Sequence, residues 1–483
     1  MQRAAIQRFL GLLLMLSSIT MVPPILVSWA YADGATTPFA LGLGLTLVSG
    51  LVLWFPVRYF RKELRLRDGF IVVVMFWLVL GLGGAIPLSL SESPHLSITD
   101  AVFESLSGLT TTGATVITGL DNLPQSILYY RQQLQWLGGI GIVVAAVAVL
   151  PMLGIGGMQL YRAETPGPMK DNKLTPRITE TAKALWYIYL GLTGACAASY
   201  WAAGMSGFDA ITHSFSTVAI GGFSTHDQSI AYFNSPLIES VTILFMLLAG
   251  VNFSLHFLAW RDFSLRSYFY DEEFKTYMKI VASVSAITII YLYFTQTYSS
   301  HAEALRYGLF HAVSLGTTTG FTTAEYYLWP GFLPALLIMS SFVGGCAGST
   351  GGGMKVVRLL LLFKQGNREV KRLIHPSAQL PVKLHGKPLE ERVMQSVWGF
   401  FSLYVASATI MSLLLAASGL DLVTAFSAVA ACMNNLGPGL GEVGSYYGEI
   451  NNMAKWVLCF AMLLGRLELF TLLVLFTPAF WRR

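Results

Sequence analysis

The sequence predicts an all-α integral membrane protein: ten transmembrane helices plus four re-entrant pore loops, arranged as four span–loop–span repeats around one pore. Three observations predict it. The chain has 483 residues, of which 54% are apolar and only 12% charged, against about 25% charged in a soluble domain. A short hydroxyl- and glycine-rich stretch recurs four times, with its key glycines Gly113, Gly222, Gly320 and Gly437 spaced 109, 98 and 117 residues apart. A second glycine follows each of these, at Gly139, Gly250, Gly345 and Gly465, after 26, 28, 25 and 28 residues. Near-constant spacing of this kind marks one unit repeated four times.

The elements follow in chain order. Residues 4–30 form the first apolar run, behind Arg3 and Arg8. Ala30-Tyr31-Ala32 looks like a signal-peptide cleavage site. The run is longer than the ~7–15 apolar residues of such a segment, and a second span at 39–57 follows directly, which favours an uncleaved helix. The basic stretch Arg58, Arg61, Lys62, Arg65 and Arg67 then sets its loop and the amino terminus in the cytoplasm. These two extra helices occupy 1–69. The repeats follow at 70–158, 159–262, 263–363 and, with a preceding cytoplasmic loop, 364–483.

Each repeat opens with a span, at 70–91, 182–204, 279–298 and 394–418, and closes with a second one, at 133–153, 237–259, 332–363 and 453–477. All are near the ~20 residues that cross a ~30 Å hydrocarbon core. The loops after the second spans are basic. Arg162, Lys170, Lys173 and Arg177 lie in 159–181; Arg261, Arg266 and Lys275 in 260–278; Lys364, Arg368, Lys371, Arg372, Lys383, Lys387 and Arg392 in 364–393; and Arg482-Arg483 ends the chain. Asp33, Glu92, Asp121 and Glu442 fall on the other side. The net charge of +5 is therefore an orientation signal with both termini cytoplasmic, and it excludes a nucleic-acid partner. The stretch 364–393 exceeds what a connection needs, so a solvated basic segment and a docking face both fit it. Cys196, Cys346, Cys432 and Cys459 lie in apolar segments without metal-ligand or disulfide spacing.

Between the two spans of each repeat lies a segment too short to cross. As a helix, 100–110 reaches about 17 Å at 1.5 Å per residue. Thr99 suits its N-cap and Asp100 its first turn. Asp209 holds the same offset in repeat 2, Glu303 stands nearby in repeat 3, and Asp421 is roughly equivalent in repeat 4. Four such half-helices aim their negative carbonyl ends at one centre, which favours a cation. The stretches that follow are Thr110-Thr111-Thr112-Gly113, Ala219-Ile220-Gly221-Gly222, Thr317-Thr318-Thr319-Gly320 and Asn434-Asn435-Leu436-Gly437. Glycine permits the backbone turns that direct successive carbonyls at an axis. Rings of carbonyls replace the water shell of a cation, and irregular backbone at membrane depth is tolerated only where it is buried or lines a wet path. No HExxH, GxSxG or carboxylate cluster supports an enzyme.

With these residues in place, the chain resembles the Trk/Ktr/HKT superfamily of potassium transporters over its whole length. The two extra helices are similar to the TrkH/TrkG branch. The most specific stretches are Thr110-Thr111-Thr112-Gly113, Ile220-Gly221-Gly222-Phe223-Ser224-Thr225, residues 344–353 and 434–441, and Gly465-Arg466-Leu467-Glu468. The resemblance implies that potassium is coordinated by carbonyls of the two residues before each key glycine: Thr111 and Thr112, Ile220 and Gly221, Thr318 and Thr319, Asn435 and Leu436. It also implies a bacterial inner-membrane location in contact with lipid, a homodimer, and a cytosolic nucleotide-binding regulator, TrkA. No organic cofactor is implied. The fourth stretch departs most from the hydroxyl pattern. A symporter coupling potassium to protons or sodium is the rival function; it needs an intramembrane carboxylate at the path, for which Glu468 is the candidate.

Several residues admit two readings. His213, His311 and Glu104 each lie nine residues before their key glycine, which suits packing of the half-helix against a neighbouring span or a pH-sensing role. The stretch from Gly348 to Lys355 resembles a phosphate loop but fails the pattern, because Val356 follows the lysine and an apolar span precedes it. Residues 344–353 hold six glycines, Gly344, Gly345, Gly348, Gly351, Gly352 and Gly353, with Ser349 and Thr350 between them. At about 1 kcal/mol per glycine, a continuous helix is disfavoured by roughly 5–6 kcal/mol, so a break into a gating loop is expected here. Arg466 lies deep in the equivalent span of repeat 4. It either snorkels to the inner surface or sits beside the glycine loop under the pore, where its charge repels a cation.

Overall fold

The computed structural model describes residues 2–60, 66–144, 178–389 and 391–482. Helices dominate. Among the described residues the strands are the antiparallel pair Lys383–Leu384 and Lys387–Pro388. Five described helices are long and apolar enough to cross a membrane, or seven if two bent pairs each count as a span.

All four repeats show one order. The first helices are Leu66–Leu90, Ile178–Ala202, Glu272–Phe294 and Glu391–Ala417. The half-helices are Ile98–Leu109, Gly207–Ala219, His301–Gly316 and Leu422–Met433. The second helices begin with Gln125–Val144, Pro236–Ala249, Leu333–Ser341 and Asn452–Arg466. Each second helix packs on the half-helix of the next repeat, and that of repeat 4 packs on Ile98–Leu109 of repeat 1. The repeats therefore close into a circle. Gly139 lets the second helix of repeat 1 approach Ala219 of repeat 2; a Cβ there would lie 3.0 Å from Ala219.

The half-helices start at side-chain caps. Ser97 Oγ accepts from the Asp100 N–H at 3.1 Å and donates to the Asp100 carboxylate at 2.7 Å; Ser206 and Asp209 repeat this at 3.0 and 2.7 Å. Ser300 caps the third helix and Asp421 the fourth. The cap of the first is thus Ser97 rather than the expected Thr99, because the chain is still extended at Ser97, with ψ of 160°.

The first apolar run is one candidate span, Arg3–Tyr31, as expected; its helix is interrupted at Thr20 and Met21, and the second piece, Val22–Tyr31, carries prolines at its start, as suits the first turn of a helix. Other expectations are corrected. Among the described residues, three second spans are not straight. Pro236–Ala249 turns by 93° into Phe253–Arg261, and Asn452–Arg466 by 111° into Phe470–Phe476. In repeat 3 the helix stops at Ser341 and resumes at Val356, with the expected glycine stretch between. The resumed helix runs to Ile374, so Lys364, Arg368, Lys371 and Arg372 lie on a helix rather than a loop. The basic residues Arg61, Lys62, Arg65, Arg162, Lys170, Lys173 and Arg177 fall outside the described residues, as does the boundary at 158/159.

Candidate functional site

The four half-helices end identically. The Thr112 N–H donates to Ser107 O (2.8 Å) and the Thr111 N–H to Gly108 O (3.0 Å); the pairs are Gly221–Ser216 (2.8 Å) and Ile220–Thr217 (3.1 Å), Thr319–Ser314 (2.8 Å) and Thr318–Leu315 (3.1 Å), Leu436–Ala431 (2.8 Å) and Asn435–Cys432 (3.2 Å). This closure needs a left-handed residue, usually glycine. Here Thr111, Ile220, Thr318 and Asn435 hold it, at φ of 55°, 55°, 69° and 52°. Such residues cost about 1–3 kcal/mol each and persist only where the surroundings enforce them. Two residues on, Gly113, Gly222, Gly320 and Gly437 also take positive φ, 82°, 78°, 84° and 97°.

The loops meet in a closed ring. A Cβ on Gly113 would strike the carbonyl oxygen of Gly221, one on Gly222 that of Thr319, one on Gly320 that of Leu436, and one on Gly437 that of Thr112. Each struck carbonyl belongs to the residue just before the next repeat's key glycine. The sequence-predicted residues Thr111, Thr112 and Gly113, Ile220, Gly221 and Gly222, Thr318, Thr319 and Gly320, and Asn435, Leu436 and Gly437 are thereby brought together. Hydroxyl pairs brace two loops from within, Thr110 with Thr112 (2.8 Å) and Thr317 with Thr319 (2.7 Å). In repeat 4 amides replace them. Asn435 Nδ2 donates to Thr112 Oγ1 (3.0 Å) and Met462 O (3.1 Å), and Asn434 Nδ2 to Ser341 Oγ (2.8 Å).

The residues nine before the glycines hold the outgoing strand, and Glu104 also meets a neighbouring span, the second helix of its own repeat, through Arg131. Glu104 accepts from the Val116 N–H (2.9 Å) and the Thr115 hydroxyl (3.0 Å) and pairs with buried Arg131 (2.8 Å). His213 Nε2 meets Ser224 Oγ at 2.9 Å, and the Thr323 N–H reaches His311 Nε2 at 3.4 Å. The chain reverses at each glycine, so this offset faces the residues just after it. Repeat 4 has Ala428 there, and Ser427 takes over, accepting from the Leu440 N–H at 2.9 Å.

On one side of the ring lies a cavity of about 450 Å³, lined by all four key glycines and walled by Arg131, His226, Asp227 and Glu325. On the other side lies the glycine loop. The Gly352 N–H donates to Thr318 Oγ1 (2.8 Å), the Gly353 N–H to Asn434 O (3.0 Å), and Thr350 Oγ1 to Val218 O (2.9 Å). Arg466, nearly buried, donates to Thr350 O (3.1 Å) and Gly138 O (2.8 Å). Lys355 donates to Gly351 O. The Cys346 N–H donates to Gly250 O at 2.8 Å, and Gly348 O accepts from the Phe253 N–H at 3.1 Å. Residues Gly344, Gly345, Gly348, Ser349, Thr350, Gly351, Gly352, Gly353 and Arg466 are therefore one assembly, touching the loops or second helices of all four repeats.

Glu468 is not the sole candidate carboxylate. It accepts from Arg358 Nη2 at 2.5 Å. Glu104, Glu239 and Glu273 are more deeply buried. Glu239 pairs with Arg306 at 2.7 Å, and Glu273 accepts from the Ala347 N–H (2.7 Å) and Val357 N–H (3.1 Å). Glu273 escaped notice because the first helix of repeat 3 starts at Glu272, earlier than its apolar run. Arg131, Gln132 and Gln135 escaped too. Their signal was available: they form a polar cluster within the opening turns of an otherwise apolar span.

The family described as TrkH, cation transport protein, matches residues 36–483. The chain belongs to the TrkH family. It is 59% identical over 478 residues to the Trk system potassium uptake protein TrkH of Halomonas elongata, covering 99% of each chain. It is 43% identical over 472 residues to TrkG of Escherichia coli, covering 98% of this chain and 97% of that one. The crystal structure of the potassium transporter TrkH from Vibrio parahaemolyticus superposes with a TM-score of 0.91 at 53% identity, over 100% of both chains. As a TrkH-family member with several membrane-capable helices, this is a multi-pass membrane protein of a transport family and not an enzyme.

Proposed function

We propose that the chain takes up potassium across the bacterial inner membrane through a channel-like filter, with ten transmembrane helices, four re-entrant pore loops and both termini cytoplasmic. The observation that carries this reading is the ring itself. Four glycines each lie against the carbonyl of the next repeat, so the carbonyls of Thr112, Gly221, Thr319 and Leu436 are held in one circle. Such a circle presents oxygens to a dehydrated cation. The names of the relatives supply the ion. The glycine loop and Arg466 act as the gate beneath the filter. A cytosolic nucleotide-binding subunit resembling TrkA moves that gate, and the chain works as a homodimer. Coupling of potassium to protons or sodium is the alternative, favoured by buried Glu273 against the glycine loop. Flux of potassium and sodium into liposomes holding the purified protein tests the reading. Selective potassium flux that needs no proton or sodium gradient is the expected result; no potassium flux, or flux strictly tied to such a gradient, rejects it.

A further inference from the structure

Gln135, on the second helix of repeat 1, is fully buried. Its Nε2 donates to Gly221 O at 2.6 Å, and its Oε1 accepts from the Phe223 N–H at 3.1 Å. The two bonds bracket Gly222, the key glycine of repeat 2. Gly221 leaves the room: a Cβ there would strike the Gln135 amide.

Repeat 2 alone requires such a clamp. Repeats 1 and 3 carry the Thr110–Thr112 and Thr317–Thr319 hydroxyl pairs, and repeat 4 carries Asn434 and Asn435. At the places of Thr110 and Thr112, repeat 2 has Ala219 and Gly221, which offer no side-chain donor. The carbonyl that Gln135 holds is also the one against which Gly113 of repeat 1 rests. A carbonyl oxygen has two lone pairs, so this bond leaves one free for an ion. Both amide atoms are used, one donating and one accepting. A carboxylate would set an acceptor against the Gly221 oxygen.

We propose that Gln135 is a positioning residue for selectivity: repeat 1 fixes, through this amide, the carbonyl that repeat 2 gives to the ring. The proposal rests on the reading of the ring as a potassium filter. It is tested by potassium and sodium flux in liposomes with Q135M, Q135E and, as a control on the filter, G320S. Q135M keeps the volume and loses both bonds; it should lower potassium-over-sodium discrimination by roughly fivefold to tenfold, the worth of the one bond that holds the Gly221 carbonyl. Q135E should lose discrimination at neutral pH and regain it on acidification, when the protonated carboxyl can donate to Gly221 O. Wild type should show no such gain. This pH rescue occurs within one folded protein, so it decides the matter even if Q135M fails to fold. Unchanged discrimination in both Gln135 variants, or loss in Q135E without recovery at low pH, overturns the proposal. If G320S loses discrimination in that case, only the clamp falls; if G320S also keeps it, the filter reading falls with it.

Discussion

Two glycine-rich stretches meet at the centre of the molecule and are held in opposite ways. Each loop of the ring is tied to its own half-helix by two backbone hydrogen bonds and walled by the carbonyl of the next repeat. The same constraint appears four times. The glycine loop at 342–355 is held by ties that do not repeat: backbone bonds join Cys346 to Gly250, Gly348 to Phe253 and Gly353 to Asn434, and others depend on one side chain, Thr318, Thr350 or Arg466. A bond of this sort contributes about 0.5–1.5 kcal/mol, somewhat more where charged. Glycine content alone therefore says nothing about mobility. On the proposed reading, the repeated backbone constraint makes the ring the rigid element, and the unlike, individually weak ties make the loop the one that is displaced.

The sharpest way to break this contrast is G320S. A side chain there meets both a left-handed backbone, costing about 1–2 kcal/mol, and the Leu436 carbonyl. Potassium-over-sodium discrimination in flux measurements should fall at least about tenfold. Full discrimination would mean that the ring is not the rigid element. Next comes the loop. R466A removes the bonds to Thr350 O and Gly138 O, and should raise potassium flux without a partner by about tenfold, since a charged hydrogen bond is worth ~1.5–3 kcal/mol. Deletion of residues 351–353 should act in the same direction. Unchanged or abolished flux in well-folded protein would place the constriction elsewhere.

A third test concerns the cytosolic partner proposed above. The helix Val356–Ile374 begins where the loop ends and carries Lys371 and Arg372, both exposed. Reversing both charges should weaken capture of a soluble nucleotide-binding partner several-fold. Equal capture would remove this helix from the interface.

The smallest effect concerns the wall of the cavity. His226 Nδ1 lies 2.5 Å from Asp121 and Nε2 3.5 Å from Asp209, and its ring stacks on Tyr232 at 3.4 Å. His213 stacks on the same ring at 6.4 Å, and Arg131, Asp227 and Glu325 line the same cavity. Burial alone would lower the pKa of His226, but its bonds to Asp209 and Asp121 outweigh this and raise it. A raised folded-state value means that the imidazolium stabilises the fold. That stabilisation is full below the unfolded value, about 6.5, and is lost as pH rises through the folded one. H226Q should therefore lower the melting temperature at about pH 5 and leave it unchanged near pH 9. Equal melting at both values would show that the bridge does not hold the outer wall.

The ring was legible because glycine register survives in a linear string; four near-equal offsets specify four equivalent places. The break in repeat 3 was legible because six glycines in ten residues leave a helix little chance. The bends in repeats 2 and 4 were not. Hydropathy records that Pro236–Ala249 and Phe253–Arg261 are both apolar, but not that the chain turns between them. In repeat 4 the turn is made by Glu468 and Leu469, both at φ of 54°, residue types that give no warning. The left-handed Thr111, Ile220 and Thr318 were hidden for the same reason. Their conformation is imposed by tertiary closure against local preference. Gln135 and Arg131 act on loops some ninety residues away, a relation that no local pattern carries.

The ring also bears on how the chain is made. Its last closure sets Gly437 against the carbonyl of Thr112, from opposite ends of the repeat array. A ribosome releases the first three repeats long before the fourth exists. Until then the carbonyl of Thr112 has no glycine against it, and the half-helix Ile98–Leu109 lacks its neighbour Asn452–Arg466. A chain cut before the fourth repeat leaves both of these contacts unmade. Closing the ring joins residues more than three hundred apart, a separation that makes closure slow. Chains truncated before residue 422 should accordingly be captured by the membrane quality-control proteases, and pulse-labelled full-length chains should gain protease resistance only after synthesis ends.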